Sequence, residues 1–110
     1  MTRDLQGAAG DFHAEVVRAP ESSTLVCHGD LDIATASRLR AIAGPLHGAD
    51  LTLDLRPLDL VDSSGLREIV RLHQTLAPDH LLTVVALEGS LPWHLIELAG
   101  LDVLLDLRAG

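Results

Sequence analysis

The chain has no lysine and no tyrosine, and its 110 residues include one cysteine, one tryptophan and one phenylalanine. With aromatic residues at 2%, a hydrophobic core has to be assembled from Leu, Val, Ile and Ala. The lone Cys27 has no partner for an internal disulfide, which suits a reducing cytoplasm. Its alternation with Leu25 marks it as a small core residue. No apolar run approaches the roughly 20 residues needed to span a membrane. The opening MTRDLQGAAGD lacks the apolar stretch of a signal peptide. Catalytic and cofactor signatures are equally scarce. Neither GxGxxG nor GxxxxGK(S/T) occurs, and Ser63 and Ser64 stand outside any GxSxG elbow. The six histidines form no HExxH pair, and one cysteine builds no Cys-based zinc site. A metal shared by His28, Asp30 and Asp32 would require the strand to continue through Gly29, where a turn is expected instead. No metal, no cofactor and no enzyme activity are expected.

What the chain does have is a 47% hydrophobic content, enough for one globular domain and too little length for a second. Eight basic residues face 16 acidic ones, a formal net charge of −8. That balance repels nucleic-acid phosphates and anionic lipid surfaces. A protein partner is the better expectation, with no nucleic acid bound and no membrane insertion.

Residues 1–11 read as a polar, flexible tail before a single domain over 12–110. After Phe12, HAEVVRA reads as a strand closed by the turn signal Pro20-Glu21-Ser22-Ser23, and 24–28 as its antiparallel partner ending at Gly29. Asp32 is placed to cap a first helix, on which Ala36, Leu39, Ala43 and Leu46 share a side until Gly44-Pro45 ends or kinks it. Residues 51–55 form a central strand, and Pro57 forbids a continuous ladder beyond it. A second helix runs from Ser63 to about Ala77 and stops at Pro78. Leu66, Ile69, Val70, Leu76 and Ala77 lie on its apolar face, with His73 at the edge of the core. Arg67, Glu68, Arg71 and Gln74 take the opposite face. Residues 81–87 form a covered strand. A third helix spans about 91–99 with an apolar stripe of Leu91, Leu95 and Leu98, with Trp93 off it and Gly100 at its end. A last strand covers about 103–107. Alternation of this kind implies a largely parallel sheet.

The stretch LTLDLRPLDLVDSSGL, residues 51–66, carries the most functional information. It runs from a buried strand into Asp62-Ser63-Ser64-Gly65 and at once into a helix. Two hydroxyls and a carboxylate thus stand where helix N–H groups and the helix dipole favour an anion. A serine there is either an ordinary cap or a phosphate site. Asp30 and Asp59 read as solvated or capping residues. Asp32 and Asp62, each just ahead of a helix on the same side, should form a compact acidic patch with Ser63.

Three segments resemble the STAS domain family, and within it the bacterial anti-sigma-factor antagonists. Gly29-Asp30-Leu31-Asp32 followed by Ala34-Thr35-Ala36 is similar to the family's GELD turn and first helix. Residues 51–66 match its strand-to-helix motif ending in DSSGL. Pro92 to Leu105, with Ala99-Gly100-Leu101, is similar to its third helix and closing strand. The resemblance covers about residues 12–107. It implies an α/β, STAS-like fold of order β-β-α-β-α-β-α-β, with a mixed, largely parallel sheet and helices packed mainly on one face. It also implies a cytoplasmic domain that binds an anti-sigma factor with ATP-dependent serine kinase activity and frees a sigma factor. Phosphorylation at Ser63 would switch the domain off, and a serine phosphatase would reset it. Asp32, Thr35, Asp62, Ser63, Ser64, Gly65 and Leu66 are the implied partner-binding residues. The alternative within the family is a constitutive STAS subunit docking on an ABC-type lipid transporter complex through its first helix. Departures from the family pattern are Asp30 in place of Glu, the Gly44-Pro45 pair, an almost absent C-terminal helix and Trp93 where a polar residue is expected.

Overall fold

Burial alternates along the strands with period two, and this sets the layering. In the second strand Ser23, Leu25 and Cys27 are buried while Thr24, Val26 and His28 are half-exposed. The same pattern recurs at Leu82, Val84 and Ala86 against Thr83 and Val85. One face of the sheet therefore has to be covered, and the helices cover it. The computed structural model describes residues 11–110. The expected tail lies outside the described residues except for Asp11, whose carboxylate is 3.4 Å from the Arg38 guanidinium.

The elements are β1 (His13–Arg18), β2 (Ser22–Leu31), α1 (Ala36–Ala43), a 3-10 turn (Gly44–Leu46), β3 (Asp50–Asp54), β4 (Leu58–Val61), α2 (Ser63–Leu76), β5 (Leu82–Ala86), α3 (Leu91–Leu98) and β6 (Asp106–Ala109). The sheet order is β1-β2-β3-β5-β6, with β4 paired to β2. β1 and β2 are antiparallel, and the other pairings are parallel. The core is aliphatic apart from Phe12 and Cys27, with Leu25, Leu53, Ile69, Val84 and Ile96 fully buried. Burial pushes the Cys27 thiol up to about 12, with the Asp54 charge adding to the shift. Among the described residues no helix is long and apolar enough to cross a membrane.

The STAS-like architecture is thus present, with one strand more than expected. The β3 ladder does end before Pro57, but pairing resumes at Leu58, where β4 runs beside the C-terminal end of β2. β2 accordingly does not stop at Gly29. It continues to Leu31 because Gly29 adopts φ +88°, where a register shift lets the strand bend and go on. A side chain at Gly29 would also collide with the Asp11 carbonyl oxygen.

Other boundaries moved for local reasons. α1 starts at Ala36 with Thr35 at its N-cap, because Asp32 instead closes a turn over residues 32–35. After α3, Leu104 and Leu105 both donate to the Leu101 carbonyl, which delays the last strand to Asp106. α3 buries Pro92 and Ile96; of the expected stripe Leu95 packs half-buried against the core, as Trp93 does, while Leu91 and Leu98 are exposed. On α2 the buried set is Gly65, Glu68, Ile69, Leu72 and Leu76, while Ala77 is exposed.

Between β3 and β4 the chain is held by Asp54, which is buried. Its carboxylate accepts from Arg56 Nη2 at 2.7 Å, Nε at 2.9 Å and the Arg56 backbone N–H at 3.1 Å. The Arg56 guanidinium holds this carboxyl below its ordinary value, against the opposing effect of burial. A carboxyl depressed in the folded state stabilises the protein above the unfolded carboxylate pKa of about 3.9 and loses that contribution as pH falls through its lower folded value. Asp54→Asn should therefore be less stable than the wild type at neutral pH, with the gap closing as the medium is acidified below that range. Urea unfolding at a series of pH values checks this.

Candidate functional site

Leu31 and Val61 are register partners in the parallel β2/β4 pair, so the turns that follow them leave the sheet side by side. This brings Asp32 and Asp62 to one edge of the domain. The Asp62 N–H continues the ladder by donating to the Leu31 carbonyl at 3.1 Å. Its carboxylate then does two things. Oδ1 accepts from the N–H groups of Ser64 and Gly65 at 2.9 and 3.0 Å, capping α2. Oδ2 accepts from the Ile33 N–H at 3.3 Å, tying the start of α2 to the β2–α1 turn.

Asp32 organises the neighbouring turn by itself. Its Oδ1 accepts from the N–H groups of Ala34 and Thr35 at 2.9 and 3.2 Å. Thr35, only 2% exposed, returns the bond: its Oγ1 accepts from the Asp32 N–H at 2.9 Å and donates to the Asp30 carbonyl at 2.7 Å. Thr35 is thus a buried strut under the turn.

Ser63 is the first residue of α2 and is exposed, and its hydroxyl has no hydrogen-bond partner among the described residues. Ser64 is half-buried beside it, and Leu66 packs against the core. Gly65 is dictated by space. A Cβ there would lie 2.6 Å from the Leu31 carbonyl oxygen and 2.8 Å from side-chain atoms of Leu31 and Val61. The helix can therefore approach the strand ends closely only with glycine at this position.

The structure brings the Asp32 turn and the Asp62-Ser63 turn side by side, with the carboxylates committed to backbone amides. The Ser64 and Gly65 amides that a phosphate would seek at this helix start are already bound to Asp62. Helical spacing alone also puts Glu68 on the polar face, whereas it is 3% exposed. Its Oε1 accepts from Arg40 Nη2 at 2.9 Å and Nε at 3.2 Å, linking α2 to α1. Its (i, i+3) spacing from Gly65 on the buried side was the only local signal for it.

A family model described as "Mlab, STAS domain" matches residues 14–106. The chain belongs to the STAS domain family. An anti-sigma factor antagonist from Mycobacterium paratuberculosis is similar in structure, with a TM-score of 0.82 at 24% identity over 92% of this chain and 88% of that one. A putative anti-sigma factor antagonist from Thermotoga maritima reaches 0.72 at 16% identity over 90% and 86%. The anti-sigma factor antagonist SpoIIAA in its unphosphorylated form reaches 0.71 at 15% identity over 90% and 87%. No curated protein is similar enough in sequence to count as a match. At these identities the solved structures establish a common STAS fold.

Two substitutions test the geometry of this STAS site. Asp62→Ala removes the acceptor of three backbone N–H groups and should destabilise the domain by about 1–2 kcal/mol in thermal or urea unfolding. Gly65→Ala should cost about 1–3 kcal/mol through overpacking against the Leu31 backbone. A melting temperature unchanged in Gly65→Ala would show that the contact with β2 is looser than described.

Proposed function

We propose that this STAS domain is a cytoplasmic anti-sigma-factor antagonist. Its unphosphorylated form binds an anti-sigma factor with serine kinase activity and releases the sigma factor. Phosphorylation at Ser63 switches it off, and a serine phosphatase restores it. The observation that carries the reading is the Ser63 hydroxyl: exposed, without a hydrogen-bond partner among the described residues, and mounted on a turn held by Asp62. The solved relatives described as anti-sigma factor antagonists support the general role. One of them, described in its unphosphorylated form, supports attention to phosphate.

The physics of the switch follows from the geometry. A phosphate adds roughly −1.5 to −2 charges and three acceptor oxygens. The Ser64 and Gly65 amides are engaged by Asp62, so the new group is not absorbed into the helix start. It remains on the surface beside the Asp32 and Asp62 carboxylates. One helical turn on, Arg67 is exposed at the i+4 position, within reach of a side chain at Ser63. The fold needs no rearrangement to carry the phosphate, whereas a partner surface shaped for a neutral hydroxyl would have to desolvate its negative charge. The role is that of a binding module, with Ser63 as the acceptor of a phosphate and not as a nucleophile of the domain's own. A constitutive subunit docking on a transporter complex would have no use for an exposed acceptor serine.

Incubation with ATP, magnesium and a serine-kinase anti-sigma factor from the same cell should place one phosphate on Ser63, read by peptide mass spectrometry and absent in Ser63→Ala. Ser63→Asp should weaken partner binding by at least about tenfold while the melting temperature stays near that of the wild type. Absence of phosphate on Ser63 sinks the switch reading. Copurification of the unmodified protein with a membrane transporter complex favours the docking subunit.

A further inference from the structure

A groove runs between α1 and α2 from the Ile33–Ser64 end to the His47–Leu76 end. It consists of two adjoining hollows of about 530 and 320 Å³ that share Arg40, Glu68 and Arg71 in their linings. The farther hollow is floored by Ala43, Leu51, Leu72 and Leu76. The nearer one is bordered by Arg67, Arg71 and Ile33, and Ile33 is 81% exposed. Glu68 is the single carboxylate on this lining, and its charge is met by Arg40. Arg67 and Arg71 enter no ion pair among the described residues, unlike Arg38, Arg40, Arg56 and Arg108. In a chain of net charge −8, this cleft is a local positive strip with an apolar floor.

We propose that the α1/α2 groove docks an acidic amphipathic segment of a protein partner, apolar side chains on the Ala43–Leu72–Leu76 floor and carboxylates against Arg67 and Arg71. The proposal rests on the binding-module reading above and names the chemistry of the partner's contact. Two observations select a protein segment over an anionic membrane. The strip is recessed between two helices, where a flat surface reaches poorly. An extended anionic bilayer would also face the acidic remainder of the chain, whereas a segment confined to the groove would meet mainly Arg67 and Arg71. The groove also opens at Ser64, so an occupant would continue directly onto the Ser63 turn. Arg67 would then serve the partner in the unmodified protein, and a phosphate one turn away would compete for it.

The test requires no kinase, so its failure is separable from failure of phosphorylation at Ser63. The probe is a fluorescein-labelled synthetic amphipathic helix with leucines on one face flanked by glutamates. The control peptide carries lysines in place of the glutamates. The acidic peptide should bind the wild-type protein in anisotropy titrations, more weakly as salt is raised. Amide shift changes should be confined to the groove lining: α1, α2, the Ile33 turn and the 44–51 segment that ends in Leu51. Arg67→Glu/Arg71→Glu should weaken binding by about tenfold or more. Arg18→Glu, a single charge reversal of the same kind on exposed β1, should leave binding unaltered. Circular dichroism establishes that each variant is folded. Equal binding of the lysine peptide, shift changes elsewhere, or no binding of the acidic peptide overturns the proposal. So does preferential binding of wild-type protein to phosphatidylglycerol vesicles, or self-association lost in Arg67→Glu/Arg71→Glu, which would assign the groove to a membrane or to a second copy.

Discussion

The carboxylate of Asp62 joins two turns that are distant in sequence, and the organisation of the site depends on it. Parallel pairing of Leu31 with Val61 brings the ends of β2 and β4 together. Asp62 then caps α2 with one oxygen and holds the Ile33 amide with the other. Gly65 permits the close approach, since any side chain there would meet the Leu31 backbone. The consequence is a surface whose backbone is fixed while its outermost hydroxyl, on Ser63, stays uncommitted among the described residues. A rigid frame around an exposed hydroxyl suits the proposed switch, in which modification would change recognition and leave the fold alone.

Charge follows the same division between frame and surface. The acidic excess of the chain is not uniform: carboxylates at the strand ends bind backbone amides, and Asp54 and Glu68 are matched by Arg56 and Arg40. Removing either arginine would leave a poorly solvated carboxylate, which is unfavourable unless it protonates. The arginines left over on α2 face the cleft beside α1. Two adjoining surfaces of opposite character result, an acidic turn carrying Ser63 and a basic groove leading away from it.

Much of the fold was legible from local pattern. Alternating apolar residues marked the strands, Asp62 and Pro78 bounded α2, and Gly44-Pro45 marked the end of α1. Legibility failed where a local signal was overruled by pairing elsewhere. Gly29 looked like a terminator, yet β4 gave the chain beyond it a partner, so the strand bent and continued. Leu91, Leu95 and Leu98 formed the most hydrophobic line on α3, yet the helix buries Pro92 and Ile96. Glu68 read as solvated because a carboxylate is seldom buried without a partner, and its partner Arg40 lies 28 positions away on another helix.

The amino-acid sequence alone determined the order of most elements, the aliphatic core, the acidic balance and the DSSGL turn with Ser63 at its head. These properties depend on residue type and on neighbours within a turn or two. Tertiary structure alone decided that Asp62 reaches Ile33, 29 positions away, that Thr35 is a buried strut beneath the Asp32 turn, and that Arg40 neutralises Glu68 across two helices. Strand register sets such distances. The alignment of β2 with β3 and β4 is a property of the whole packed sheet, and no short window of sequence contains it.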